Sequence, residues 1–177
     1  LNEIGEMIAR NDNSGKSYRM GVEMEAAWHP TDWFQWDVNA TWSRNRAKDW
    51  TVTDNKGTYD HDGAENDDVT VNLGDTHLGF SPDFIFNNIL SFRFKGFSAS
   101  VQSQYVSEQY LTNTNFKSYL TQGSNGKDTY VSMMLDGYFT TNLNLAYNFS
   151  MKKLGIKDAT VGITLYNLFS TEYDNNG

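Results

Sequence analysis

The alternation of apolar and polar residues over long segments is the feature that most limits what this chain can fold into. Between residues 17 and 42, every second residue is apolar on both sides of a Pro-Thr-Asp turn at 30–32. The apolar residues are Tyr18, Met20, Val22, Met24, Ala26 and Trp28, then Phe34, Trp36, Val38, Ala40 and Trp42. Because successive side chains of a β-strand point to opposite faces, this spacing predicts two antiparallel strands, each with one apolar face.

Six segments show this alternation, and no segment shows helical amphipathicity of useful length. The predicted strands span roughly residues 17–29, 33–46, 83–94, 97–111, 138–149 and 159–169. Each is about twice as long as the 5 or 6 residues usual in soluble sheets. Each is also long enough to cross a bilayer, for which a tilted strand needs about 9–11 residues.

The connections between these strands are alternately short and long. The short ones lie at 29–32, 95–96 and 150–158, and the long ones at about 47–82 and 112–137. Outer-membrane barrels have short turns on the periplasmic side and long loops outside. We therefore predict an all-β fold, a fragment of an antiparallel transmembrane β-barrel with about six long strands. The alternative is a soluble β-sandwich with the aromatic residues as its core.

Composition excludes several other classes. The chain has 177 residues, no cysteine, 38% hydrophobic and 15% aromatic residues, and a net charge of -8. Without cysteine there are no disulfides or thiolate metal sites, and no apolar run reaches the 18 or so residues of a transmembrane helix. No nucleophile elbow, phosphate loop or basic-aromatic nucleic-acid surface is present. We expect no enzyme activity, no cofactor, no metal site and no nucleic-acid partner.

The strand count predicts that the sequence is a piece of a longer protein. Bacterial barrels have about 8 strands or more, and an open sheet edge in hydrocarbon would leave backbone groups unpaired at several kcal/mol each. The chain also starts at Leu1 rather than at a methionine, and it stops after an upward strand. We expect residues 1–177 to be the C-terminal portion of a barrel that lacks its final strand.

The last predicted strand carries a resemblance to a known family. The segment "VGITLYNLFSTEYDNNG" resembles the C-terminal signature of TonB-dependent outer-membrane receptors, through Asn167, Leu168, Phe169 and Tyr173. The segments "SYRMGVEMEAAWHPTDWFQWDVNATWSRN" and "FSPDFIFNNILSFRFKGFSASVQSQYVSEQYLTNT" resemble recurring hairpins of the same family. The order and spacing of these motifs together carry the resemblance.

This resemblance implies a barrel of about 22 strands plugged by an N-terminal domain. It implies energy-coupled uptake of a scarce ligand, most often a ferric siderophore or haem, across the outer membrane of a Gram-negative bacterium. The partners implied are the TonB complex, acting through an N-terminal region that this sequence lacks, outer-membrane lipid and a ferric chelate. The alternative is a barrel that does not transport and serves adhesion or structure.

The long loop at 47–82 carries the candidate ligand-binding residues. His61 and His77 could contribute to a site for an iron-bearing ligand, whereas His29 lies beside a short turn and cannot join them. Residues 49–76 include eight aspartate or glutamate residues and a single lysine. The segment "DHDGAENDD" lacks the spacing of an EF-hand, so a solvated exterior loop is the simpler interpretation.

Basic residues cluster where the first two strands reach the predicted exterior. They are Lys16, Arg19, Arg44, Arg46 and Lys48. Arginine and lysine pair well with phosphate, and lipopolysaccharide phosphates lie at this level of an outer membrane. We therefore hypothesise a lipopolysaccharide-binding rim, with ordinary surface charges as the alternative.

Overall fold

A computed structural model describes residues 15–54, 69–122 and 128–174. The strands are β1 (Ser17–Thr31), β2 (Phe34–Ala47), β3 (Thr51–Asp54), β4 (Val69–Asn72), β5 (Thr76–His77), β6 (Phe84–Phe94), β7 (Phe97–Val106), β8 (Gln109–Tyr110), β9 (Ser118–Gln122), β10 (Asp128–Ser132), β11 (Met134–Leu135), β12 (Tyr138–Met151) and β13 (Ile156–Leu165). The main antiparallel sheet has the order β1-β2-β6-β7-β12-β13, with β5 added beside β2. The predicted set of six long strands is confirmed.

Two of the predicted strand ends are wrong. The fourth strand was expected over 97–111, but β7 ends at Val106 and the chain then forms β8, which pairs with β11 instead. The sixth was expected over 159–169, but β13 runs from Ile156 to Leu165. Asn167 follows with a φ of 48°, which turns the chain out of the extended conformation that a strand requires.

The strand register brings the apolar residues of all six strands onto one face. One row across this face pairs Leu90 with Val101, Val101 with Leu143, and Leu143 with Leu165. At another position Val22 pairs with Trp42, and their side chains are 63% and 71% exposed. Large apolar residues are therefore in register but uncovered by protein. The buried apolar residues of the described chain are Ala47, Val106 and Leu135.

No second sheet packs on this apolar face within the described residues. The smaller two-stranded sheets are β3–β4, β8–β11 and β9–β10, and all three belong to the long connections. The sandwich alternative is therefore wrong for the part of the chain that the structure describes. A one-layer sheet with an exposed apolar face fits contact with lipid, as in a transmembrane barrel.

The opposite face of the sheet is polar and hydrogen-bonded between strands. The Asn87 side-chain amide donates to Asn39 Oδ1 at 2.8 Å, which links β6 to β2. The Thr164 hydroxyl donates to Asn144 Oδ1 at 2.9 Å, which links β13 to β12. Uncharged amides and hydroxyls of this kind suit the water-filled side of a barrel wall.

The sheet is open at both sides within the described residues. β1 pairs only with β2, and β13 pairs only with β12. No helix of the described residues is long and apolar enough to cross a membrane.

Candidate functional site at the long-loop end

Two long connections meet at one end of the sheet, in a contact that we call the loop junction (residues 76–80 and 110–115). The Asn113 Oδ1 accepts a hydrogen bond from the Gly79 backbone N–H at 2.6 Å, and the Phe80 N–H donates to the Tyr110 carbonyl at 2.8 Å. The Asn115 Oδ1 accepts from the His77 backbone N–H at 2.7 Å. Side-chain amides thus satisfy backbone donors that no strand ladder pairs.

The backbone of the loop junction is closely fitted. A Cβ added to Gly79 would lie 3.1 Å from the Leu111 carbonyl oxygen, so a larger residue would require the Leu111 backbone to shift by a few tenths of an ångström. Phe80 and Asn115 have φ values of 53° and 60°. Asparagine tolerates this left-handed conformation well, whereas phenylalanine adopts it only where surrounding contacts hold it.

A charged group lies beside the loop junction. Arg46 on β2 binds Asp83 through both guanidinium Nη atoms, at 3.2 and 3.3 Å. His77 Nε2 lies 3.6 Å from Asp83 Oδ2. The His77 ring also contacts Asn115 Oδ1 through Nδ1 at 2.8 Å and stacks on Tyr110 with centroids 4.6 Å apart. Both ring nitrogens of His77 therefore already face polar partners.

Of the two histidines proposed as ligand-binding residues, the structure describes His77. His61 lies outside the described residues, and His77 belongs to the loop junction. His29 lies at the other end of β1, beside the short turn, as expected. Among residues 15–54, 69–122 and 128–174, no group of three or more His, Cys, Asp or Glu side chains is arranged to hold a metal ion.

Exposed aromatic rings are the feature of this end that sequence reasoning missed. Phe80 is 55% exposed, Phe116 49%, and Tyr130 on β10 74%. They lie in the long connections, outside the alternating segments, so strand periodicity gave no reason to single them out. Rings with this exposure offer flat apolar area to a ligand at a low cost in side-chain entropy.

A cavity at the opposite end of the sheet is a weaker candidate site. It has a volume of about 350 Å³ and is lined by the short turn at 29–35 together with Ser91 and Arg93. It opens widely to solvent and has a mainly polar lining. It does not resemble the enclosed, mostly apolar pockets that bind small molecules.

Comparison with known protein families shows which family the chain belongs to. Residues 2–168 match the family model of the TonB dependent receptor-like β-barrel. This chain belongs to the TonB-dependent receptor family. The search of curated proteins gave no match. Members of the family are transporters of the Gram-negative outer membrane rather than enzymes, so membership supports a role in outer-membrane reception and transport in general.

The residues that carried the resemblance have structural roles in this receptor. Asn167 closes a turn after β13, with its side-chain amide donating to the Thr171 carbonyl and its Oδ1 accepting from the Thr171 N–H, both at 2.9 Å. The Leu168 N–H donates to the Thr141 carbonyl at 2.7 Å. Tyr173 stacks on Tyr138 with centroids 4.3 Å apart, and Phe169 is 69% exposed. The motif therefore fastens the chain after β13 back onto β12.

The five basic residues of the hypothesised rim do not form one group. Arg44 pairs with Met20, the residue next to Arg19 in β1. Because neighbouring residues of a strand point to opposite faces, Arg19 and Arg44 lie on opposite faces of the sheet. Arg46 is engaged by Asp83, and its side chain is only 14% exposed. Lys16, Arg44 and Lys48 are exposed, and their positions in the strand alternation put them on the same face as the apolar residues.

Proposed function

We propose that this chain is the C-terminal part of the barrel of an outer-membrane receptor that imports a ferric siderophore or haem. Energy would come from the TonB complex, acting through a region N-terminal to this barrel segment. The observation that carries the proposal is the asymmetry of the sheet within a TonB-dependent receptor barrel. The long connections, with their small two-stranded sheets, lie at one end, and two short turns and a 3-10 helix (Lys152–Leu154) join the strands at the other.

The open sheet supports the idea that this segment is completed by further strands. β1 and β13 each lack a second neighbour among the described residues. In hydrocarbon, the unpaired N–H and C=O groups of such edges are too costly to persist. The remaining strands of the receptor would pair with both edges and enclose the polar face as a lumen.

The proposed class of ligand rests on the chemistry of the long-loop end. The exposed rings of Phe80, Phe116 and Tyr130 suit a ligand with flat, delocalised groups, as in aromatic chelators and porphyrins. His77 is a poor source of an iron ligand, because its Nδ1 and Nε2 already face Asn115 and Asp83. We therefore expect capture by ring contacts rather than by coordination through His77.

Growth under iron limitation tests this proposal. The full-length receptor is produced in a Gram-negative strain that lacks its own siderophore and haem receptors. Growth is then measured with a panel of ferric siderophores or haem as the only iron source. We expect one of these to restore growth, and deletion of the TonB gene to abolish it. Growth that persists without TonB would favour a passive barrel, and growth with none would leave the adhesive alternative.

A pair of variants links the ligand to the exposed rings. Tyr130→Ser removes the most exposed of these three rings, and we expect it to raise the ligand concentration for half-maximal growth several-fold. Tyr130→Phe keeps the ring and should behave as the parent receptor does. Equal effects of the two variants would show that the ring does not contribute to capture.

A further inference from the structure

The apolar face of the sheet becomes cationic at the long-loop end of β1 and β2. The Val22–Trp42 pair is followed by Met20 opposite Arg44 and then by Tyr18 opposite Arg46, whose guanidinium is bound to Asp83. Beyond the strands, the Lys48 N–H donates to the Lys16 carbonyl at 2.7 Å, which holds these two lysines side by side. Lys16, Arg44 and Lys48 therefore continue the column of outward-facing residues and add positive charges to it beside Met20 and Tyr18.

These three cations are available to an external partner. All three are exposed, and none takes part in an ion pair with a described carboxylate. Lys48 Nζ lies 5.4 Å from the centre of the Tyr18 ring, an arrangement that supports the ammonium group without neutralising it. The chain as a whole carries a net charge of -8, so this patch has the opposite sign of charge to the rest of the protein.

The position of the patch along the strand gives its level in the membrane. Arg44 lies ten residues along β2 from Phe34, which stands beside the short turn with its ring 5.1 Å from that of Phe92. At about 3.4 Å per residue and a tilt of about 40°, ten residues rise about 26 Å along the membrane normal. The apolar band of outer-membrane barrels is about 25 Å tall. Arg44 therefore lies at the exterior edge of the hydrocarbon, where the lipid headgroups begin.

We propose that Lys16, Arg44 and Lys48 bind the phosphate groups of a phosphorylated glycolipid of the outer leaflet. Its acyl chains would lie against Val22 and Trp42, directly below the cations. The Arg44 guanidinium offers a planar fork that matches phosphate oxygens, and the lysines add point charges. Charge complementarity and apolar contact thus come from one continuous surface. The site depends on membership of the receptor family and on the level of the patch, not on the identity of the cargo.

Glycolipid retention by the purified full-length receptor tests this site. The receptor in detergent is mixed with bisphosphorylated lipid A or with its dephosphorylated form, and bound lipid is counted by native mass spectrometry. The test variant is Lys16→Gln/Arg44→Gln/Lys48→Gln. The matched control is Lys152→Gln/Lys153→Gln/Lys157→Gln, which removes the same charge from exposed positions at the short-turn end. Circular dichroism melting verifies that both variants keep the fold.

We expect the test variant to lose roughly tenfold or more in apparent affinity for bisphosphorylated lipid A. The control should bind as the parent does, and dephosphorylated lipid A should bind weakly to all three proteins. Arg44→Lys, which keeps the charge and loses the fork, should give an intermediate loss. Equal binding by the test variant and the parent, equal loss in the control, or equal binding of the dephosphorylated lipid would overturn the proposal. Siderophore-dependent growth is scored separately, so failure of the lipid site leaves the transport proposal standing.

Discussion

Arg46 and Asp83 form a two-pronged ion pair that joins the end of β2 to the segment leading into β6. The Nη1–Oδ1 and Nη2–Oδ2 distances are 3.2 and 3.3 Å. The Arg46 side chain is 14% exposed and that of Asp83 is 39% exposed. Bidentate geometry and partial burial make this pair stronger than an ordinary surface ion pair. The His77 ring of the loop junction lies beside this pair, with its Nε2 3.6 Å from Asp83 Oδ2.

Removal of the carboxylate should therefore loosen the loop junction without unfolding the sheet. For Asp83→Asn we expect about 1–2 kcal/mol less protection in amide hydrogen exchange over residues 76–83 and 110–115. Exchange in β12 should not change. The double variant Arg46→Gln/Asp83→Asn should cost less than the sum of the two single variants, because each loses the same interaction. Additive effects would contradict a direct coupling between the two side chains.

The two-residue turn between β6 and β7 gives a sharper test of backbone geometry. Gly96 has a φ of 82°, and a Cβ there would lie 2.5 Å from the Asn148 carbonyl oxygen. Gly155 has a similar φ of 74° with no atom within 4 Å of an added Cβ. Gly155→Ala should thus show only the cost of the left-handed conformation, about 1–2 kcal/mol.

Gly96→Ala carries that conformational cost and also a steric clash with β12. We expect it to lower the free energy of unfolding by clearly more than Gly155→Ala does, measured by urea titration of the receptor in lipid vesicles. If both glycine variants lost the same amount, close packing of the turn against Asn148 would be ruled out.

Aromatic rings at the short-turn end form a cluster that should anchor the sheet in the membrane interface. Phe34 and Phe92 have centroids 5.1 Å apart, and Trp33 stacks on Phe92 at 6.4 Å. We expect Phe92→Ala to lower the free energy of unfolding in vesicles by about 1–3 kcal/mol, through lost ring contacts and lost lipid contact.

Phe94 provides the control for this cluster. It is 62% exposed on the same face and has a cation contact with Lys95 but no ring pair among the described residues. Phe94→Ala should cost less than Phe92→Ala, because it loses lipid contact and the Lys95 contact but no ring–ring contact. The reverse order of stabilities would show that ring–ring contacts add nothing here.

The strands and faces were predictable from sequence because one periodicity dominates them. Phe34, Trp36 and Val38 read as one face, and the structure places them in register with β1 and β6. The strand ends were not predictable, because alternation continues past Val106 and Leu165 while the pairing partner changes or the backbone turns. Local pattern records which face a residue occupies but not which strand it pairs with.

The loop junction could not have been found from sequence. Its hydrogen bonds join residues far apart in the chain, such as Asn113 to Gly79 and Asn115 to His77, with separations of 34 and 38 residues. Asparagine in a long polar connection is the ordinary composition of a loop. Similarly, the basic residues read as one cluster until the β1–β2 register separated Arg19 from Arg44.

One polar pair interrupts the apolar face and can be tested by removal of one or both partners. Ser103 on β7 and Thr141 on β12 are opposite each other, and their hydroxyl oxygens are 3.1 Å apart. Thr141 is only 4% exposed. Thr141→Val leaves the Ser103 hydroxyl without this partner in an apolar setting, so we expect a loss of about 1 kcal/mol in the free energy of unfolding.

The double variant Ser103→Ala/Thr141→Val removes both polar groups and should recover most of that loss, because no hydroxyl is left unpaired in an apolar setting. Ser100→Ala is the control on the polar face, where Ser100 accepts from the Asn144 side-chain amide at 3.3 Å and water can replace it. That control should change stability by less than about 0.5 kcal/mol. A double variant less stable than Thr141→Val alone would mean that the Ser103 hydroxyl has another partner.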